Sequence, residues 1–190
     1  MKLVKNENQK NMDSVSDKEA EEAFVKILKW IGEDPSREGL LEGILTSHGQ
    51  PIDKHRGDLL SPLSEESSTR SLINALVVPM VSCFDTSSGC RYLQIVSQLS
   101  DQFSNWRSLS GDLSSPHLSR ALNMLENRPD FLPAVLRQER LIAMMQLMTS
   151  SLSERARSIE AGIETPLSNS EYKDNLTDML VGILEASTGN

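Results

Sequence analysis

Apolar residues recur at intervals of three and four along most of the chain, and no stretch alternates with the period of two that a half-buried strand requires. Ala20, Ala23, Phe24, Ile27, Leu28 and Ile31 form the first such stripe, with Ser14 or Ser16 as its cap and Gly32 and Pro35 as its stop. Ser36 reads as the cap of a second helix carrying Leu40, Leu41, Ile44 and Leu45, which Gly49 and Pro51 end near His48. Residues 61–69 are loop-like, and Leu72, Ile73, Leu76, Val77, Met80, Val81 and Phe84 follow at helical spacing. After a turn over 85–89, a fourth helix carries Tyr92, Leu93, Val96, Leu99, Phe103 and Trp106. Residues 108–114 break the pattern, and Ser115 with Pro116 is a cap-and-first-turn pair opening a helix with Leu118, Ala121, Leu122 and Leu125. From Pro133 to Gly162 runs a long stripe of Val135, Leu136, Leu141, Ile142, Met145, Met148, Leu152, Ala156 and Ile159. Tyr172, Leu176, Met179, Leu180, Ile183 and Leu184 make a last helix. The expected fold is all-α: a disordered tail over 1–16, a helical segment over 17–48, and a helical bundle over 49–190.

Composition sharpens this picture in two ways. Apolar residues are 38% of the chain and aromatics only 4%, so the core must be built from Leu, Ile, Val and Met. The longest apolar run, over 75–81, is far below the ~20 residues a membrane helix needs. The amino-terminal lysines precede no hydrophobic stretch, so no secretory signal is read and a cytoplasmic location is expected. A net charge of −8, with no run of three basic residues, offers no phosphate-neutralising face. Cys83 and Cys90 fall at the end of one helix and the start of the next; they read as two buried or half-buried thiols, although a disulfide is geometrically possible.

Candidate chemistry is sparse. His48, Asp53 and His55 could converge on a metal, but they straddle an expected turn, and a solvated loop is the preferred reading. There is no nucleophile elbow, phosphate-cradling glycine loop, CxxC pair or HExxH motif. The expectation is therefore no metal, no cofactor and no enzymatic activity. Met144, Met145 and Met148 cluster on the long helix, where ordinary core packing competes with an adaptable apolar pocket. On the pocket reading, the ligand-binding candidates are Phe84, Tyr92, Met144, Met145 and Met148.

SREGLLEGIL (36–45), SHGQPIDKHR, ALVVPMV, SGCRYLQIVSQLS, the stretch from RALNMLENRPDF to RARSIEAG, and LTDMLVGILEA resemble, in order, a TetR-family regulator after its helix-turn-helix. The resemblance covers about four-fifths of the chain. It implies a TetR-type regulatory bundle whose last two helices, 133–162 and 172–187, pair with a second subunit to form a homodimer. The implied interface residues are Leu141, Met148, Leu152, Leu176, Met179, Leu180 and Ile183, and the implied ligand is a small apolar effector. A complete TetR head needs three helices, and only 17–31 precedes SREGLLE, so specific DNA binding is not expected.

EAEEAFVKILKWIGEDPSREGLLE (19–42) resembles instead the amino-terminal helix region of GTP cyclohydrolase I. It includes no catalytic position of that family, whose zinc-binding Cys and His residues lie further downstream in a mixed sheet-and-helix domain. The two resemblances overlap at SREGLLE. The alternatives to a ligand-sensing dimerisation domain are thus a cyclohydrolase-related enzyme and a helical fusion domain without dedicated activity.

Overall fold

Gly49 and Pro51, expected to end a helix, lie inside a helical run instead. In the computed structural model, which describes residues 45–99, 115–129 and 132–187, Leu45–Gly49 winds as a π-helical turn directly into α1, Gln50–Leu60. Pro51 falls in the first turn of α1, just after the π-helical turn, where its fixed φ suits the helix. The expected loop after His48 is therefore a helix. The tail over 1–16, the helix over 17–31, most of the second helix, Phe103, Trp106 and the break over 108–114 lie outside the described residues.

Five further α-helices follow: α2 (Thr69–Val81), α3 (Ser87–Leu99), α4 (Pro116–Glu126), α5 (Ala134–Glu160) and α6 (Asn169–Glu185). Among the described residues there is no strand, so the all-α expectation holds. These helices belong to one unit, Ile44–Asn190.

α2 is buried around nearly its whole circumference, as expected of a helix that is apolar on all sides. Leu72, Ile73 and Leu76 have no accessible surface, and α1, α4 and α6 all pack against this helix. Ser68 caps it by accepting from the Ser71 N–H at 3.2 Å. Near its end, Pro79 cannot donate a backbone hydrogen bond, and its carbonyl accepts from Ser82 Oγ at 2.7 Å. The chain then tightens into a 3-10 turn, Ser82–Asp85, before α3. Gly89 lies so close to this turn that a Cβ there would sit 2.2 Å from the Cys83 carbonyl oxygen.

α5 is the longest helix and packs along α3 on one side and α6 on another. It ends in a Schellman turn: Ile163 N–H donates to Ser158 O at 2.9 Å, Gly162 N–H to Ile159 O at 3.0 Å, and Gly162 takes φ +64°. α6 opens with a reciprocal capping box between Ser168 and Glu171. Two arginines of α5 hold the antiparallel pair at both ends. Arg140 donates to Leu184 O at 3.0 Å, and Arg155 donates to Asn169 Oδ1 at 2.9 Å.

The start of α4 departs from its sequence reading. Ser115 stands at the cap position but makes no side-chain capping bond. The cap comes instead from Asp53 of α1, whose carboxylate accepts from Leu118 N–H at 3.0 Å and His117 N–H at 3.2 Å. A carboxylate at a helix amino terminus meets both the unpaired N–H groups and the positive end of the dipole. The same carboxylate pairs with the buried Arg56 guanidinium at 2.7 Å. Asp53→Ala is expected to cost about 3 kcal/mol, because it removes the cap and leaves a buried cation unpaired. Urea denaturation checks this, with Asp53→Ala/Arg56→Met expected to recover part of the loss. A single variant as stable as the wild type would show that the pair and cap contribute little.

Candidate functional site

The residues proposed to line a pocket are all buried. Phe84 sits in the 3-10 turn, Tyr92 on α3, and Met144, Met145 and Met148 on the inner face of α5. Met144 has no accessible surface, so it borders no void large enough for a water molecule. These methionines serve as packing, and an apolar ligand would have to displace them.

The two aromatic candidates belong to different clusters. Tyr92 stacks obliquely on His48, with ring centroids 5.3 Å apart. Phe84 meets Tyr172 of α6 edge-on at 5.8 Å, and the Arg155 guanidinium lies over both rings, 5.8 Å from Phe84 and 4.5 Å from Tyr172. Arg155 Nη2 also donates to the Leu167 carbonyl at 2.7 Å. A single side chain thus joins the 3-10 turn, the α5–α6 connection and the first turn of α6. Sequence reasoning passed over it. The available signal was an arginine lying among Leu152, Ala156 and Ile159 on the apolar stripe of α5.

The metal candidates diverge. Asp53 is consumed by Arg56 and the α4 amino terminus, His55 is exposed, and burial lowers the basicity of His48 against Tyr92. His117 packs against α1, where a Cβ on Gly57 would lie 2.6 Å from its ring. Among the described residues, no group of three or more His, Cys, Asp and Glu side chains could hold a metal ion. Cys83 and Cys90 are free, buried thiols that donate to backbone carbonyls. Burial, with Cys90 and Asp85 nearby, pushes the Cys83 thiol up to about 11, and burial raises Cys90 as well.

The proposed interface residues divide into two groups. Met148, Leu152, Leu176 and Leu180 lie in the core of the single subunit and have no surface to offer a partner. Only Met179 is exposed, while Leu141 and Ile183 are half-buried. α5 and α6 spend their main apolar stripes on α2, α3 and each other. What remains outside is still distinctive. Among the described residues, the large apolar side chains left exposed are Val135, Leu136, Ile163, Leu167 and Met179, all on α5, α6 or their connection. On α6, Met179, Gly182 and Ile183 follow the i, i+3, i+4 spacing of one stripe. Asp178, at the edge of this stripe, pairs with Arg70 of α2, while Tyr172, two turns before Met179, meets Arg155 of α5. No described helix is long and apolar enough to cross a membrane.

The chain has two tyrosines, Tyr92 and Tyr172, and both phenols are pushed up to about 12, mainly by burial. Because the folded pKa values lie above the ordinary 10.0, their contribution to stability is complete below pH 10 and is lost as pH rises towards 12. Tyrosinate absorbance in the near ultraviolet is expected to appear only with alkaline unfolding. A titration midpoint near pH 10 in the folded chain would contradict the burial of Tyr92 and the half-burial of Tyr172.

Comparison with known proteins gives one partial likeness. A 44-residue segment is 68% identical to GTP cyclohydrolase 1 of Pelagibacter ubique, strain HTCC1062. The match takes in 22% of this chain and 22% of that enzyme, so the chain spans about a fifth of its relative. This agrees with the cyclohydrolase-like segment read over 19–42. It also counts against the expectation of no enzymatic activity, since 22% of the chain matches the sequence of an enzyme. No family model matches the chain, and no solved structure matches it.

Proposed function

We propose that residues 44–190 form a ligand-sensing and self-association domain of TetR-like type, pairing two copies through the outer face of α5 and α6. The observation that carries this reading is that, among the described residues, the exposed large apolar side chains lie on those helices and their connection, with Val135 70% and Ile163 61% exposed. They are spread along the helix pair: Val135 and Leu136 open α5, Ile163 and Leu167 follow its far end roughly 40 Å away, and Met179 lies on α6. Gly182 adds support. A mid-helix glycine costs about 1 kcal/mol relative to alanine, and a Cβ at this position would meet nothing within 4 Å. The described residues give no packing reason for a glycine there, whereas a second helix crossing close to it would. Small apolar molecules are the effector class proposed for the buried Phe84 and methionine region, because Met side chains repack readily.

A second reading rests on the shared 44 residues: a cyclohydrolase-related protein acting on GTP. GTP consumption by the purified chain, retained after removal of contaminating activities, would support it over the first reading.

Self-association is tested by sedimentation of two variants. Met179→Glu is expected to weaken pairing at least about tenfold, as a carboxylate placed in the apolar stripe must be desolvated. Gly182→Ala separates the possibilities further. On an open surface it should stabilise the chain by about 0.5–1 kcal/mol, while against a crossing helix it should weaken pairing. Stabilisation without any loss of pairing would place the contact elsewhere.

A further inference from the structure

We propose that Arg155 is the positioning residue that sets α6 in register on α5 and so shapes the outer face with which a second copy pairs. The inference deepens the self-association reading and rests on it. Its basis is the convergence at one buried side chain. The guanidinium is held by Leu167 O at 2.7 Å and Asn169 Oδ1 at 2.9 Å, and it is covered by the rings of Tyr172 and Phe84.

Only an arginine can do this. Its planar fork reaches a carbonyl and an amide oxygen together while its face stacks on an aromatic ring, whereas a lysine offers a single point charge. The acceptors are the two groups that fix where α6 begins: the last residues of the connection and the first residue of the helix. Leu167 itself is exposed, so side-chain burial at that position does little to hold the connection. At the far end, Arg140 grips the Leu184 carbonyl. Residues 140 and 155 are fifteen apart, as are 169 and 184, so the two clasps span equal lengths of antiparallel helix, roughly 22 Å. Releasing either end allows α6 to slide or rotate on α5, and a rotation moves Met179 and Gly182 away from the outward direction. The stacking on Phe84 adds a second consequence. The 3-10 turn between α2 and α3 is joined to α6 through Arg155, so a ligand that displaces Phe84 disturbs the same clasp.

The test uses the full chain with Arg155→Met and Arg155→Lys. Two quantities are read: amide hydrogen exchange over residues 163–172, and the self-association constant from sedimentation. Arg155→Met should speed exchange in that segment about tenfold or more and weaken pairing about tenfold. Arg155→Lys, which keeps the charge but loses the fork, should shift both in the same direction by less. Asn169→Ala removes one exposed acceptor and leaves the core intact, so it should reproduce a smaller part of the effect even if Arg155→Met fails to fold. Unchanged exchange in the folded variants overturns the clasp. Faster exchange with undiminished pairing overturns its link to the outer face. A wild-type chain that is monomeric at every concentration overturns the self-association reading itself, while exchange still decides whether Arg155 fixes α6.

Discussion

The constraint on which this bundle depends is the disposal of polar backbone groups at helix ends. Each helix leaves about four N–H groups unpaired at its start and four carbonyls unpaired at its end. Here many of them are met by side chains from elsewhere in the sequence. Asp53 of α1 serves the start of α4, Arg137 reaches the Glu126 carbonyl at its end, and Arg140 serves the end of α6. Arg120 and Arg128 hold the carbonyls of Leu63 and Ser67 in the connection before α2, and Arg155 holds that of Leu167. Apolar burial around α2 supplies the driving force, while these charge-assisted bonds fix where each surrounding helix begins and ends.

That division explains what the sequence disclosed. Apolar spacing located α2, α4, α5 and α6 closely, because each has a continuous stripe of Leu, Ile, Val or Met. It missed α1, whose buried face runs Ile52, Asp53, Arg56 and Leu60 and so carries a charged pair where a stripe should be. The pair reads as loop chemistry until its partner, the start of α4 more than sixty residues away, is placed beside it. Local reading assigned the cap of α4 to Ser115 for the same reason: a long-range carboxylate cannot be seen from the adjacent residues.

The candidate site was legible in part. Periodicity showed that Met148, Leu152, Leu176 and Leu180 are apolar and helical, but could not say whether a stripe faces its own subunit or another. α6 is apolar over a broad arc, and α2 and α5 claim most of it, leaving the narrower strip of Met179 and Gly182. The cyclohydrolase-like segment was legible directly, because a dense run of identities needs no structure to be seen. The ligand role given to the buried methionines rests on their flexibility alone, whereas the surface distribution of apolar side chains gives the self-association reading a physical basis independent of any resemblance.

A solution mass measured by light scattering across a dilution series tests that reading most directly. The account predicts twice 21.1 kDa at working concentrations, falling towards a single chain only on strong dilution. A mass of one chain throughout would contradict it and leave the exposed apolar strip of α5 and α6 without a partner.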